Sequence, residues 1–573
     1  MLQTLTTPRG ETLSGTPWQV YPRPQMRRDS YINLNGEWDF AVSSGNPETF
    51  DMRILVPFCP ESRPSGIGRH FEEGAPLWYR RRFLLPEGFR RERVLLHIGA
   101  ADQIAEVFVN GQHLCRHEGG YASFCVDITE ALAEENELVI RCTDDLHDQA
   151  FPYGKQVMNR GGMWYTPVSG IWQTVWLESV PGTYIENLNI ENHGASVTIS
   201  TVPPLDGTVS VEQLGQFPLE NGQVTIAPEN PHFWCPDDPY LYRFTVETAQ
   251  DKVESYFAIR SLEIKKVGGY PRLCLNGKPY FFHGLLDQGY WPEGLLTAPA
   301  PESYADDILA MKRLGFNTLR KHIKVEPEEF YYQCDRLGMI VWQDMVNNGS
   351  YSYFRDTVLP TVGIQKRNDR RLHRDERSRN AFRQGAADAV NQLKNHPCIC
   401  YWTIFNEGWG QFDSDRVCGW FRTLDATRFI DATSGWFRGK NTDVDSRHQY
   451  FGKLRLEGDG LRPLVLSEFG GKTWRVEGHI FNPDKTYGYG ACPTREALNE
   501  AVAALYRKSI VPAVEKGLCA AIYTQVSDVE DEVNGLITYD RRVVKLDADT
   551  MLPISRALQD AMEKTVASFE KMG

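Results

Sequence analysis

Four things are missing from this chain, and each absence removes a class of function or a compartment. No Cys-x-x-Cys pair occurs among the twelve cysteines, and Cys398 and Cys400 would face opposite sides of a strand. A structural zinc site is therefore not expected, and the thiols are expected to be reduced. There is no long basic run and the net charge is −13, which argues against counterion-release binding of nucleic acid and against anionic membranes. No stretch approaches the roughly 18 consecutive apolar residues of a membrane span. The N-terminus lacks a basic start followed by an apolar segment, so no secretory leader is expected and the cytoplasm is the expected compartment.

What is present reads as a folded, multi-part protein. The 573 residues exceed the roughly 100–200 of one domain several-fold, and 41% hydrophobic with 24% charged residues is an ordinary globular balance. About three units are expected. Aromatic residues make up 12% of the chain; rings at this density supply sandwich cores or flat platforms for sugar faces.

From Tyr31 to about Pro181 short strand-like runs alternate with turns, among them Glu37–Phe40, Val94–Ile98 and Ile104–Val109. Asn110-Gly111 is a two-residue hairpin signal between two such runs. A second series, from about Thr183 to Lys265, has the spacing of a seven-strand sandwich of immunoglobulin size. After Gly268 the rhythm changes to strands alternating with helices such as Glu302–Leu314, Ser378–Lys394 and Arg495–Lys516. The strands are expected at Tyr280–Leu286, Phe316–Arg320, Met339–Gln343, Ile399–Asn406, Phe429–Ser434, Val444–Tyr450, Leu464–Phe469 and Leu518–Gln525. Eight alternations over about 300 residues predict a (β/α)8 TIM barrel, whose active site lies at the C-terminal ends of the strands.

Two of those ends carry a glutamate: Glu407 after the fourth strand, in Phe405-Asn-Glu, and Glu468 in the seventh, in Ser467-Glu-Phe-Gly. Strands four and seven face each other across the mouth of a barrel, which can hold two carboxyl groups about 5–5.5 Å apart around one glycosidic bond. In that arrangement Glu468 attacks the anomeric carbon while a protonated Glu407 serves the leaving oxygen and then activates water. Trp402, Phe405 and Trp409 are the apolar neighbours expected to raise the Glu407 pKa.

These motifs resemble glycoside hydrolase family 2, which holds β-galactosidases, β-glucuronidases and β-mannosidases. The resemblance extends over Asn33–Phe40, the stretch from Gly99 to Asp127, Ser169–Trp176, Leu275–Tyr280, Asn406-Glu407 and Ser467–Gly470. It implies a jelly roll over 1–182, an immunoglobulin-like sandwich over 183–266 and the catalytic barrel over 267–573. It implies Glu407 as acid/base and Glu468 as nucleophile, with Asn406 bonding the sugar 2-hydroxyl, Arg320 keeping the nucleophile ionised and Tyr450 bonding Glu468. His322 and His448 are further sugar-contact candidates, with a packing role equally open. Asp287, Gln288, Trp291 and Asp344 either line the terminal-sugar pocket or cap loops. Trp474 and Tyr487, after the nucleophile, are aromatics that could cover the sugar, and Tyr523 and Gln525 end the eighth strand.

The chain departs from the family pattern in places. The stretch Glu532–Asp540 lacks the lysine of the glucuronidase branch, Gly162 stands where the large galactosidases have an aspartate, and Leu286–Tyr290 replaces their His-Glu-His region. No cofactor and no catalytic metal are expected. The chain is expected to be a three-domain member without further C-terminal sandwiches. The resulting expectation is a retaining exo-β-glycosidase acting on a carbohydrate or glycoconjugate, first a β-galactoside, next a β-hexuronide or β-glucoside, with no nucleic-acid or membrane partner. A non-catalytic carbohydrate-binding protein is the alternative of another class. A long charged segment, Val346 to Ser378 with Arg367, Arg370, Arg371 and Arg374, is expected to shape the site, to form a contact in a homo-oligomer, or to be a solvated excursion.

Overall fold

Strict alternation of buried and part-buried residues along Asn136–Thr143 shows how the first unit forms: one face of each strand packs inward while the other meets solvent. In the computed structural model, which describes residues 2–361, 364 and 368–570, this strand lies in a six-stranded sheet facing a four-stranded one. Trp38, Phe40, Tyr79, Leu96, Val107 and Leu177 fill the space between them. Asn110 and Gly111 have φ of 51° and 80° and join Ile104–Val109 to Gln112–Glu118. Both central residues of the hairpin turn are thus left-handed, which Asn-Gly tolerates. The second unit has seven strands in sheets of three and four, closed over Leu188, Val209, Phe244 and Phe257.

The barrel strands are β1 (Phe282–Asp287), β2 (Thr318–Lys321), β3 (Ile340–Asp344), β4 (Ile399–Asn406), β5 (Phe429–Ser434), β6 (Asp445–Gln449), β7 (Leu464–Gly470) and β8 (Leu518–Thr524). Each lies where the hydrophobic pattern put it, within a few residues at its ends. The parallel ladder runs in the order 5-4-3-2-1-8-7-6, and among the described residues no ladder joins β5 to β6. The fold is therefore a jelly roll, an immunoglobulin-like sandwich and a nearly closed eight-stranded barrel. The barrel is filled rather than hollow: the rings of Trp342 and Tyr401 stack at 3.9 Å, with Phe282 against Trp342 at 5.9 Å. Trp342→Ala is expected to cost about 3–5 kcal/mol through lost burial and a residual cavity. A urea midpoint unchanged from wild type would show that this layer does not carry the barrel.

Both sandwiches are fastened to the barrel by hydrogen bonds as well as apolar contact. Trp18 Nε1 donates to the Ala298 carbonyl at 2.9 Å and the Tyr153 hydroxyl to the Gly349 carbonyl at 2.8 Å. The Arg260 guanidinium donates to the Pro397 and Ile399 carbonyls at 2.6 and 2.8 Å. Tyr165 and Trp172 of the jelly roll belong to the same continuous core as the barrel strands. A jelly-roll loop is thereby held over the mouth of the barrel.

The charged segment after β3 divides in two. Arg370, Arg371 and Arg374 are exposed, as a solvated excursion requires, and Arg367 lies outside the described residues. Tyr351, in contrast, turns toward the barrel mouth, edge-on to Trp164 at 4.9 Å and to Trp409 at 5.6 Å. No described helix is long and apolar enough to cross a membrane.

Candidate active site

The end of β4 places Glu407. The strand stops at Asn406, and Glu407 takes a left-handed φ of 50° while its N–H donates to the Ser434 carbonyl of β5 at 2.9 Å. A non-glycine residue in this conformation stores strain that its surroundings must hold in place. Here the Ser434 bond and a 3.1 Å bond from Trp436 Nε1 to the Glu407 carbonyl do so. Glu468 comes from within β7. One carboxylate oxygen from each glutamate and a ring nitrogen of His448 all lie within 4.8 Å of one another.

Arg320, on β2 and fully buried, organises the floor between them. Its Nε donates to Asp344 Oδ1 at 2.9 Å, its Nη1 to Glu468 Oε1 and the Ser467 carbonyl at 3.0 Å each, and its Nη2 to Asn406 Oδ1 at 2.8 Å. One rigid planar fork thus fixes the nucleophile candidate, the amide beside Glu407 and the anchoring aspartate. With its oxygen committed to Arg320, Asn406 keeps its Nδ2 buried and without a partner among the described residues. An orphaned amide donor at this depth is costly unless a ligand accepts from it.

The two carboxyls sit in opposed environments. Burial raises the Glu407 pKa and the nearby charge of Glu468 raises it further, against the hydrogen bond from His448. Burial alone would raise Glu468 as well, but His448, the Arg320 guanidinium, His322 and the hydrogen bond from the Tyr450 hydroxyl bring it down to about 2. His448 mediates between the two: its Nε2 faces Ser434 Oγ at 3.0 Å and Arg320 Nη1 at 3.4 Å, and its Nδ1 faces Glu407 Oε1 at 2.9 Å. Because the guanidinium can only donate, a ring proton belongs on Nδ1, toward the glutamate.

Several candidates are placed differently from the sequence reading. Asp344 is spent on Arg320 and on His322 Nδ1, at 2.7 Å, so it anchors the floor rather than lining a sugar pocket. His322 itself is driven down to about 4 by burial and by the charge of Lys155, and is neutral at ordinary pH. Asp287 uses both oxygens, one for the Gly289 N–H at 3.0 Å and one for Lys321 Nζ at 2.7 Å; the loop-cap alternative describes it. Gln288, next to it, has both ends of its amide buried without a partner among the described residues. Trp291 lies under the Arg541 guanidinium at 4.0 Å and against Tyr304.

Tyr523 points away from the site. Its ring packs edge-on to Phe469 and beside Tyr506, and its hydroxyl accepts from the Lys472 N–H at 3.0 Å. The next residue, Thr524, is the one that faces inward, with Oγ1 at 2.9 Å from the Tyr450 hydroxyl; consecutive strand residues face opposite sides, so a one-residue offset exchanges core for site. Trp474 is part-buried against the barrel core. From the same loop Tyr489 stacks on Tyr450 at 4.0 Å, and Tyr487 packs over Gly162. Trp436, Thr524, Tyr489 and Ser434, beside His448, were not identified as site residues from sequence, because nothing in their local pattern distinguishes them from loop and core residues.

A jelly roll and an immunoglobulin-like sandwich ahead of a barrel, with two carboxyls at the ends of its fourth and seventh strands, define a modular barrel protein with an enzyme-like site. Three family models follow the same order: "Glycosyl hydrolase 2 galactose-binding domain-like" over 70–160, "Glycosyl hydrolases family 2" over 183–260 and "Glycosyl hydrolases family 2, TIM barrel domain" over 267–455. The chain belongs to glycoside hydrolase family 2. Among curated relatives it is 23% identical to a β-galactosidase of Thermoanaerobacter pseudethanolicus, over 65% of this chain and 49% of that protein. It is also 23% identical to a β-glucuronidase of Bacteroides fragilis, over 66% and 56%. The chain thus spans about half the length of these relatives. Among solved structures, a β-glucuronidase from an uncultured Clostridium species superposes with a TM-score of 0.71 at 18% identity, covering 96% of this chain and 100% of that one. A β-galacturonidase of Eisenbergiella tayi bound to galacturonate gives 0.66 at 17%, covering 95% and 99%. At such identities the superpositions establish the shared fold.

Proposed function

We propose that the protein is a retaining exo-β-glycosidase, with Glu468 as nucleophile and Glu407 as acid/base. The observation that carries this reading is the approach of the two carboxyls within 4.8 Å, together with their opposed protonation. That gap suits a covalent glycosyl-enzyme and leaves no room for the intervening water of an inverting enzyme. Glu468, ionised, attacks the anomeric carbon. Glu407, with Oε1 bonded to His448, gives a proton from its other oxygen to the departing group and then takes one from water. Asn406 Nδ2 is free to donate to the 2-hydroxyl as positive charge develops at the neighbouring carbon.

The β-galactoside expectation draws support from the Thermoanaerobacter relative, and a β-hexuronide from the glucuronidases and the galacturonidase. Hydrolysis of nitrophenyl β-galactoside, β-glucoside, β-mannoside, β-glucuronide and β-galacturonide, followed by proton NMR, tests both sugar and mechanism. The β-anomer is expected to appear first; an α-anomer as first product would exclude double displacement.

The pH profile follows from the two shifts. Glu407 works protonated, so its raised pKa extends activity upward in pH, and the rate falls as pH rises through that value. Glu468 works ionised, so activity on the acid side persists down toward its pKa of about 2 unless the fold fails first. Replacing Glu407 by Gln is expected to abolish the alkaline limb when an activated aryl group leaves. An alkaline limb that survives unchanged would move the acid role to another residue.

A further inference from the structure

His448 stands between the two glutamates, and its side chain is fully buried. Nδ1 lies 2.9 Å from Glu407 Oε1 and 3.6 Å from Glu468 Oε2, while Nε2 meets Ser434 Oγ at 3.0 Å and Arg320 Nη1 at 3.4 Å. Both ring nitrogens are therefore spent within the protein, and neither is left for a sugar hydroxyl. The two carboxyls differ in their other donors. Glu468 takes hydrogen bonds from Arg320 and from the Tyr450 hydroxyl. Among the described residues, His448 is the one side chain that donates to the Glu407 carboxyl.

Two backbone features put the ring there. Along the β6–β7 ladder Arg447 pairs with Leu466, and the register then slips so that His448 pairs with Glu468 rather than with Ser467. A slip of this kind re-aims the side chains that follow it. Gly435, at φ 93° just after β5, lies so close to the imidazole that a Cβ there would meet it at 2.8 Å. The absence of a side chain lets the ring close against β5. Trp436 flanks it edge-on, with ring centres 5.7 Å apart. Ser434 Oγ is in turn 3.0 Å from Ser467 Oγ, which lies 2.6 Å from Ser446 Oγ. Because the guanidinium offers only donors, Nε2 is the accepting end of the ring and the proton stays on Nδ1.

We propose that His448 is the positioning residue of the acid/base: its Nδ1–H holds Glu407 Oε1, keeps the transferable proton on Oε2, and steadies the carboxylate that appears when that proton leaves. This rests on the glycosidase reading above. In the first step a bond forms between a Glu468 oxygen and the anomeric carbon while the bond to the aglycone oxygen breaks. That oxygen keeps the electron pair and takes the Glu407 proton. Negative charge thereby passes from Glu468 to Glu407, whose one side-chain donor is His448. A hydrogen bond to a neutral acid becomes one to an anion, roughly twice as strong. It gains strength along the reaction and so favours the transition state over the bound substrate. In the second step Glu407 takes a proton from water, and the bond returns to its first state.

The test measures rates across pH on an alkyl and a nitrophenyl glycoside of one sugar, for wild type, His448→Leu and His448→Asn, with thermal unfolding to confirm that each variant is folded. Asparagine keeps an N–H near the place of Nδ1 and carries no charge at any pH; leucine has no donor. His448→Leu is expected to lower kcat/KM by about 100-fold on the alkyl glycoside, whose departure requires the proton, and by less than about 10-fold on the nitrophenyl glycoside. Both limbs of its pH profile are expected to move to higher pH, because His448 favours the ionised forms of Glu407 and Glu468. The other charged groups around the pair and the ring, Arg320, His322, Lys155 and Asp431, are present in every variant. His448→Asn is expected to keep about a tenth or more of the wild-type alkyl rate, with an alkaline limb near that of wild type. Equal losses on both leaving groups with unmoved limbs in His448→Leu overturn the proposal, as does a folded His448→Asn that is no better than leucine. Should the leucine variant not fold, His448→Gln replaces it, since its amide reaches the place of Nε2 and vacates that of Nδ1. If wild type cleaves no glycoside, the glycosidase reading fails, and nitrogen-15 NMR of the histidine-labelled protein decides on the ring alone. Protonation on Nδ1, with a resonance that shifts in Glu407→Gln, upholds the bond, and a ring protonated only on Nε2 removes it.

Discussion

Glu468→Gln is expected to lower kcat by about 10^5-fold or more, the scale seen when a covalent nucleophile is removed, which is roughly 7 kcal/mol of barrier. The carboxamide keeps the shape, and its oxygen can still accept from Arg320, but its NH2 replaces the oxygen that accepts from Tyr450 and it cannot form the glycosyl-enzyme. Glu407→Gln is expected to be gentler and to depend on the leaving group, about 10^2–10^4-fold for a poor one and less for nitrophenolate, whose departure needs little protonation. This contrast separates the two roles. Steady-state rates on nitrophenyl and alkyl glycosides of one sugar check it, and equal losses on both leaving groups in Glu407→Gln would contradict the acid assignment. Retention of a tenth of the activity in Glu468→Gln would remove it as nucleophile.

Arg320→Met is expected to cost about 3–5 kcal/mol of stability together with most of the activity, because it leaves Asp344 and Glu468 as uncompensated charges in a buried site. The wild-type contribution has a definite sign. The folded-state pKa of Glu468 is depressed to about 2, so its ionisation stabilises the fold above the ordinary carboxylate range and loses that contribution as pH falls toward 2. Without the guanidinium that contribution shrinks, the Glu468 pKa rises, and the acid limb of the rate profile moves to higher pH. Pairing the change with Asp344→Asn should recover part of the stability and little of the activity. Urea denaturation at several pH values, read beside the pH–rate profile, measures both. A variant as stable as wild type at neutral pH would mean that the buried network stabilises nothing.

The barrel was legible because its strands are apolar runs spaced by amphipathic helices, a pattern that survives in one dimension. Glu407 and Glu468 were legible because acidic residues that end such runs stand out against them. Tyr523 and Thr524 mark the limit: both belong to the same short strand, and only its twist and pairing decide which one faces the axis. Asp287 and Asp344 show a second limit. From sequence each is an acid after a barrel strand, but Lys321 and Arg320, on the neighbouring strand, claim them first.

The sequence by itself determined the three-part architecture and the two strand ends that carry carboxyls, since local periodicity and spacing encode both. Tertiary structure alone decided which groups are spent on one another and which are left over. The guanidinium of Arg320 and the orphaned amide of Asn406 acquire their character from residues on other strands. Electrostatic partners in a folded chain are chosen by proximity in space, and nothing in the linear order of the residues records that choice.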